Sequence, residues 1–347
     1  MVMKHLSFLV LFFAFCAVFG FAQADLQPAA IVKLTKSEPI TVKQFRTESE
    51  RMEKIAGRAL SENEKKQVLD AMIDERLVLQ AADRDKILVS ENELNQQIKE
   101  LKDALAQQQG RQVTDAEFAV LIKNETGLDM TAYRDQGRKQ LVIQKYLLSK
   151  KQSLFDNVKG PTDAEILEIY SLSKAQFVRP ETVRFSYIQV QFGSDKAKAK
   201  ELADRLYREV GSNAAKFNEV ALKAQVANSG YMGGDGGFLP RMLEAQQLVG
   251  SDFMNTAFSL KVEEVSKLME GPTSYQFIKV TEAYSMKNLE LDDIYRLGIP
   301  MTVKETIRYS LAQEKQQAVI TQATEEVRTE LRAGGKSFEI FNKNLGW

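Results

Sequence analysis

The chain has 347 residues, and its 47 lysines and arginines balance its 47 aspartates and glutamates. This length allows two or three domains, and the charge balance argues against nucleic acid or an anionic membrane as a standing partner, because both favour a basic excess. Cys16 is the only cysteine and His5 the only histidine. Thiol and imidazole chemistry therefore depends on whether the amino-terminal segment is kept.

The first residues have the pattern of a signal peptide. Lys4 supplies a positive start, residues 6–19 are almost entirely apolar, and Ala22-Gln23-Ala24 places small residues at the two positions that a signal peptidase recognises. The apolar stretch is shorter than the ~20 residues that span a bilayer, which disfavours the alternative of a retained membrane anchor. We therefore expect residues 1–24 to be removed and the mature chain to be exported, soluble and periplasmic.

Removal of the signal would leave the mature chain without a thiol or an imidazole. Disulfides, zinc–thiolate sites, histidine bases and cysteine nucleophiles are then excluded. We expect no metal site and no cofactor. Any activity has to come from carboxylates, hydroxyls, amides, lysines, arginines or shape.

Residues 25–178 are predicted to form a mainly helical domain, which opens with a short strand at 29–34. Five capping boxes recur along it, in which a Ser or Thr accepts from an orphan helix amide while a Glu or Gln three residues on reaches back. They are Thr41–Gln44, Ser61–Glu64, Ser90–Glu93, Thr114–Glu117 and Thr162–Glu165. The helix after Ser90 has an apolar stripe at helical spacing that we expect to be buried, formed by Leu94, Ile98, Leu101 and Leu105.

The pattern changes near Arg179-Pro180. Residues 183–192 alternate apolar and polar side chains, which is typical of a half-buried strand. The elements that follow are two helices, a glycine-rich loop and a returning strand, at about residues 196–210, 217–224, 233–237 and 275–280. A compact α+β domain is therefore predicted at residues 179–284.

The glycine-rich motif Gly233-Gly-Asp-Gly-Gly237 invites interpretation as a phosphate cradle. Such a loop needs a preceding strand and a following Lys-Ser/Thr or helix start, and neither is present. A tight turn is the better interpretation, because glycine adopts positive φ angles at low cost.

Residues 285–347 are predicted to return to the helical domain. A long helix at 301–332 has an apolar side that must be buried against another element. A last strand at 337–341 would pair with the strand at 31–34 and satisfy its backbone groups. The α+β domain would then be an insertion, free to swing about its two tethers.

Residues 183–280 resemble a parvulin-type peptidylprolyl isomerase domain. The blocks that carry the resemblance follow one another in the family order, at 183–188, 217–222, 233–241, 253–260, 265–266 and 275–280. Helical segments before and after this domain resemble the exported chaperones of the SurA and PrsA type, in particular residues 68–77 and 133–139. Nearly all of the mature chain is covered.

The resemblance implies an α+β fold in which a mainly helical SurA-like chaperone domain carries an inserted parvulin-like domain. It implies a chaperone that binds unfolded, nascent or outer-membrane client polypeptides, with a parvulin-like domain that is weakly active or inactive. The alternative is an active peptidylprolyl cis-trans isomerase that assists the folding of exported proteins. A structural or adhesive surface protein built on the same fold is a third class.

The family's catalytic positions are altered here, so no catalytic residue is assigned. Tyr187 and Gln276 stand where the family has histidine, and Gly236 replaces a leucine of the glycine loop. Tyr187 and Gln276 each retain a hydrogen-bond donor and an acceptor. The peptide-binding candidates are Tyr187, Phe238, Phe253, Phe258 and Gln276. The candidates for the family's pocket methionine are Met242, Leu243, Leu248 and Val249.

Overall fold

The protein folds into two compact units. The computed structural model describes residues 25–226 and 229–346, and the predicted signal peptide lies outside the described residues. Within those two ranges no helix is long and apolar enough to cross a membrane. The helical unit combines the chain up to Lys159 with the segment from Lys315 onward, and the sheet unit comprises Gly160–Glu314.

The elements follow one another in an α+β arrangement. The first are β1 (Pro28–Val32), β2 (Glu38–Thr41), α1 (Val42–Ala56), α2 (Glu62–Arg84), α3 (Glu91–Gln109), α4 (Asp115–Thr126), α5 (Met130–Lys150), α6 (Gln152–Asp156) and α7 (Asp163–Ser173). The next are β3 (Val178–Arg179), β4 (Thr182–Gln191), α8 (Lys196–Val210), α9 (Ala214–Lys223), β5 (Met232–Pro240), α10 (Leu243–Val249) and α11 (Ser251–Ser259). The last are β6 (Met269–Glu270), β7 (Ser274–Tyr284), β8 (Lys287–Asn288), α12 (Val303–Arg332) and β9 (Phe338–Ile340).

The five predicted capping boxes are confirmed. At each one the hydroxyl accepts from the third helical amide and the Glu or Gln side chain accepts from the capping residue's own amide. The boxes begin α1, α2, α3, α4 and α7. Local sequence therefore determines where these helices start.

The two ends of the helical unit meet in a three-stranded sheet of order β2-β1-β9. β1 is central and antiparallel to β9, with Ala30 opposite Ile340 and Val32 opposite Phe338. The predicted pairing of the first and last strands is therefore present. The sheet packs on α1 and α2 through Phe45 and other buried side chains.

The second half of α12 lies on α2. Val327 is buried there, in a cluster that also includes residues of α2 and α5. Asp74 of α2 accepts from Arg332 at 2.6 Å and lies 3.1 Å from the Arg328 guanidinium. The apolar contact and the ion pairs together attach the C-terminal helix to the N-terminal helices.

The sheet unit is built on an antiparallel sheet of order β5-β4-β7-β6. α8 and α9 cover one face, where Ile188, Phe217 and Phe277 form the centre of a buried cluster. α11 covers the other face, where Met254 packs against residues of β4 and β7. Successive side chains along β4 and β7 point to opposite faces of the sheet, so the two strands contribute to two separate cores.

The two compact units are divided at residues 159/160 and 314/315. α7, the segments beside β3 and β8, and the start of α12 share one cluster of buried side chains. Its members are Ile166, Tyr170, Phe177, Leu289, Val303 and Ile307. Residues 160–178 and 285–314 therefore associate with the sheet unit, while the four-part domain assignment made from sequence remains a prediction.

The two tethers of the α+β domain are bound to each other. β3 pairs antiparallel with β8, and the Leu289 amide donates to the Phe177 carbonyl at 2.8 Å. The Tyr170 hydroxyl donates to the Leu289 carbonyl at 3.0 Å in a buried position. The tethers therefore form a small paired structure, and the freedom of the α+β domain to swing remains a prediction.

Candidate functional site

One face of the sheet unit carries two of the predicted site residues, Tyr187 and Gln276. Tyr187 of β4 lies opposite Ile278 of β7, and Gln189 lies opposite Gln276. Directly opposite residues of an antiparallel pair share a face, so Tyr187 and Gln276 are diagonal neighbours, ~7–8 Å apart at their backbones. This is the face that α11 covers in part. We call it the Tyr187/Gln276 face.

The two polar side chains of this face form no hydrogen bonds within the described residues. Across the described residues, neither the Tyr187 hydroxyl nor the Gln276 amide has a hydrogen-bond partner. Gln189 differs, since its amide donates to the Ser274 hydroxyl at 2.8 Å. An unpaired hydroxyl and an unpaired amide offer donors and acceptors to a peptide backbone.

Phe253 lies in the core beneath this face. Its side chain is 8% exposed, and its ring packs edge-on against Phe185 with a centroid separation of 5.3 Å. Phe258 of the same helix is partly buried against the same cluster. The Arg241 guanidinium lies 5.0 Å from the Phe258 ring centroid and also pairs with Glu181 at 2.7 Å.

Phe238 does not join the other candidates. It lies opposite Arg184, whereas its neighbour Leu239 lies opposite Val183 in the α11-side core. The Phe238 ring packs instead near Tyr284, with a centroid separation of 6.1 Å, and under the Arg184 guanidinium. The structure therefore brings together Tyr187, Phe253, Phe258 and Gln276, and places Phe238 on the opposite face.

The glycine motif is a strand, so the expectation of a tight turn was wrong. Residues 233–237 belong to β5 and pair with β4, with a bulge where Phe185 faces Gly237 and Ser186 faces Asp235. Gly236 is the extra residue of this bulge. The Asp235 carboxylate accepts from Arg184 at 2.6 Å and from the Gly237 amide, and the Arg184 hydrogen bond is the main reason that the pKa of Asp235 lies below its ordinary value.

The candidates for the pocket methionine have different environments. Val249 packs against the α11-side core. Met242, Leu243 and Leu248 are 44%, 65% and 88% exposed. Met269, which sequence reasoning missed, also packs on this core and lies opposite Gln276 on β6. The sequence could have indicated Met269, because it is a methionine that stands just before the Gly271-Pro272 turn into β7.

The helical unit contains a long groove between α1, α2, α3 and α5. It consists of two adjoining cavities of about 820 Å³ and 970 Å³. The residues that line both of them are Arg51, Ile55, Leu128, Gln136 and Gln140. Because these residues are shared, the two cavities form one continuous surface, which we call the helical groove.

The helical groove combines apolar and amide side chains. Leu94 and Ile98 lie on its floor at one end and Met72 at the other, while Ile55 is 68% exposed at the point where the cavities join. Only Leu94 of the predicted α3 stripe is fully buried, and Leu101 is 38% exposed. The expected burial of the whole stripe was wrong, because its outer part forms a wall of the groove.

Charged side chains of both signs stand at the edges of the groove. Arg51 and Lys54 line one cavity with Glu125, and Arg51 lines the other with Glu48 and Glu75. Such a surface has no preference for one charge sign in a ligand. Among the described residues, no cluster of three or more His, Cys, Asp or Glu could hold a metal ion.

Comparisons with known proteins assign both parts of the chain. Residues 1–147 match the SurA-like N-terminal domain family, and residues 161–296 match the PPIC-type peptidylprolyl isomerase domain family. The chain has the domain composition of the SurA/PrsA-type chaperones. Tyr187 and Gln276 both lie within the residues that match the PPIC-type domain.

Individual relatives and solved structures are similar to the chain at low sequence identity. The foldase protein PrsA of Clostridium botulinum strain Langeland is 24% identical over 309 residues, which cover 87% of this chain and 80% of that protein. The chaperone SurA of Alcanivorax borkumensis is 29% identical over 227 residues, covering 63% of this chain and 47% of that protein. A solved SurA-like chaperone of Campylobacter jejuni covers 90% of this chain and 99% of its own, at 13% identity and a TM-score of 0.40.

Proposed function

We propose that this protein is an exported chaperone that holds unfolded client polypeptides in the helical groove and on the Tyr187/Gln276 face. The helical groove is the observation that carries the proposal. It has an apolar floor, amide side chains such as Gln136 and Gln140, and charges of both signs. Apolar contacts and backbone hydrogen bonds do not require a particular charge in the client, so this groove can bind many client sequences.

We propose that isomerase activity is weak. Rotation about a peptide bond crosses a barrier of ~18–20 kcal/mol, and lowering it requires an apolar pocket together with a donor that favours the twisted amide. Tyr187 and Gln276 keep donors, but Phe253 is covered by Phe185 and offers no free wall to a proline ring. The face therefore supports binding better than catalysis.

A substitution in the helical groove tests the binding function. Ile55→Asp places a charge on the exposed apolar side chain where the two cavities join. We expect it to reduce suppression of client aggregation at least threefold. Val120→Asp is the matched control, because Val120 is 58% exposed on α4 and lines neither cavity. Equal effects of the two substitutions would contradict the proposal.

The active isomerase is the second candidate, favoured by the unpaired donors of Tyr187 and Gln276. A proline-isomerisation assay on the same mature protein separates the two functions. Catalysis at ordinary enzyme rates that Gln276→Ala abolishes would establish the enzyme and exclude a merely binding face.

Export is tested on the secreted protein itself. Cleavage after Ala24 should give a mature chain that begins at Asp25 and contains no thiol. Intact mass spectrometry of the extracytoplasmic fraction measures both properties. A lipid-modified amino terminus at Cys16 would exclude the soluble exported form.

A further inference from the structure

Gly236 and Phe185 fit each other in the sheet unit. A Cβ atom built on Gly236 would lie closer than 3.0 Å to three carbon atoms of the Phe185 ring. The φ angle of Gly236 lies outside the left-handed region, whereas those of Gly234 and Gly237 are +154° and +78°. Glycine is therefore needed at position 236 for space, and the Phe185 ring takes that space.

The Phe185 ring also sits beside the Tyr187/Gln276 face. Phe185 and Tyr187 are two residues apart on β4, so their side chains point to the same side of the sheet. The ring packs edge-on against Phe253 and is 9% exposed. It thus fills the volume between the β5 bulge, α11 and Tyr187.

We propose that Phe185 is a built-in plug, whose ring fills the apolar space on the Tyr187/Gln276 face that would otherwise admit a proline ring or an apolar client side chain. This inference rests on the proposed function of that face. A phenyl ring and a pyrrolidine ring are both compact apolar rings, so they compete for one space lined by Phe253 and the Gly236 backbone. With the space filled, a client meets Tyr187 and Gln276 only at their polar ends.

Removal of the ring tests the proposal. Phe185→Ala should raise the affinity for a proline-containing tetrapeptide, or the rate at which its prolyl bond isomerises, at least fivefold over the wild type. Val183→Ala is the matched control, because Val183 is 4% exposed in the same buried cluster and lies opposite Leu239, away from Gly236. This control should show no gain. A folded Phe185→Ala protein without a gain in either measurement overturns the plug.

A second variant covers loss of folding. Phe185→Leu keeps apolar bulk on β4 while it removes the ring, and it should give a gain of at least twofold. It replaces the alanine variant if that protein melts below the assay temperature, and the absence of a gain then overturns the proposal in the same way.

The fit between ring and glycine is tested by a double-mutant cycle. Gly236→Leu should lower the melting temperature in the presence of Phe185 and lower it much less in the Phe185→Ala background. Additive effects would show that the ring does not occupy this space. Suppression of aggregation by the wild type is measured separately, so its absence refutes the proposed function, whereas its presence without a gain in the variants refutes the plug alone.

Discussion

Phe253 and Gln276 show two different roles on one sheet face. Phe253 is buried beneath Phe185, while Gln276 has an amide without a partner in the described part of the chain. The sequence alone favours Phe253 as a residue that contacts the client. Its burial makes it a structural residue, and Gln276 and Tyr187 are the groups that we propose a client reaches.

Phe253→Ala should therefore act through stability. Removal of a buried aromatic side chain costs about 3–5 kcal/mol in the free energy of unfolding, which urea denaturation of the sheet unit measures. Gln276→Ala should change that free energy by less than about 0.5 kcal/mol and client binding less than twofold. If Phe253→Ala weakens client binding while the free energy of unfolding is unchanged, the Phe253 ring contacts the client and the structural role is wrong.

Lys279 carries a buried charge in the same unit. Its side chain is 2% exposed and its ammonium lies 2.7 Å from the Glu263 carboxylate, which is 56% exposed. Glu263 has a φ of +67°, an unusual conformation for a non-glycine residue. The ion pair therefore holds a strained loop residue against β7.

Glu263→Gln should destabilise the sheet unit more than Lys279→Met. The first substitution leaves the buried ammonium without a counter-charge, at a cost of about 1–3 kcal/mol after discounting for the exposure of Glu263. The second removes the charge and keeps an apolar chain of similar length. Thermal unfolding of the two variants decides the order, and a more severe effect of Lys279→Met would contradict it.

Element boundaries were largely predictable and packing between elements was not. Capping boxes at Ser61 and Thr114 predicted helix starts because their hydrogen bonds are local. The bulge at Gly236 was missed because it arises where β5 pairs with β4, so it depends on contacts such as that with Phe185, fifty-one positions earlier in the chain. The paired tethers were missed for the same reason, since β3 and β8 have only two residues each and no local pattern.

The capping carboxylates make the helical unit sensitive to acid. The side-chain hydrogen bond from Lys145, followed by the hydrogen bonds from Ser90, lowers the pKa of Glu93 from its ordinary 4.5 to about 2. The stability that the ionised Glu93 carboxylate adds to the folded helical unit is therefore fully present above about pH 4.5. It is lost as the pH falls towards 2. The same carboxylate begins α3 and ties it to α5.

Glu93→Gln should reduce this acid sensitivity. The variant keeps an acceptor for the Ser90 amide but has no titrating group, so its stability should depend less steeply on pH between 4.5 and 2 than that of the wild type. Circular dichroism at 222 nm, followed through thermal unfolding at several pH values, measures the difference. Parallel pH curves for the two proteins would show that Glu93 does not contribute.

At the scale of the molecule, the helical unit is discontinuous in sequence and the sheet unit is not. β9 and the second half of α12 belong to the helical unit, whereas residues 160–314 form the sheet unit without interruption. The discontinuity was predictable because an isolated first strand and an apolar C-terminal helix both lacked partners in the sequence. The position of the division within α12 was not, since the helix pattern continues across it.

Truncation after Glu314 should affect the units unequally. It removes β9, Val327 and the Arg328 and Arg332 contacts to Asp74, while Val303 and Ile307 stay in place. Hydrogen exchange should therefore quicken in residues 25–159 and remain unchanged in residues 160–314. Unchanged exchange in α1 and α2 would show that the C-terminal segment is not needed by the helical unit.

The pairing of β1 with β9 also sets an order of assembly. A polypeptide leaves the ribosome or the translocation pore from its amino end, so β1 emerges long before its partner β9. Until residue 338 has appeared, β1 has one open edge, and an open edge is a site for pairing with other chains. The sheet unit, whose strands are all available earlier, can mature during that interval. Synthesis or export that stops between residues 315 and 337 would thus leave a complete sheet unit and a helical unit that is prone to aggregation.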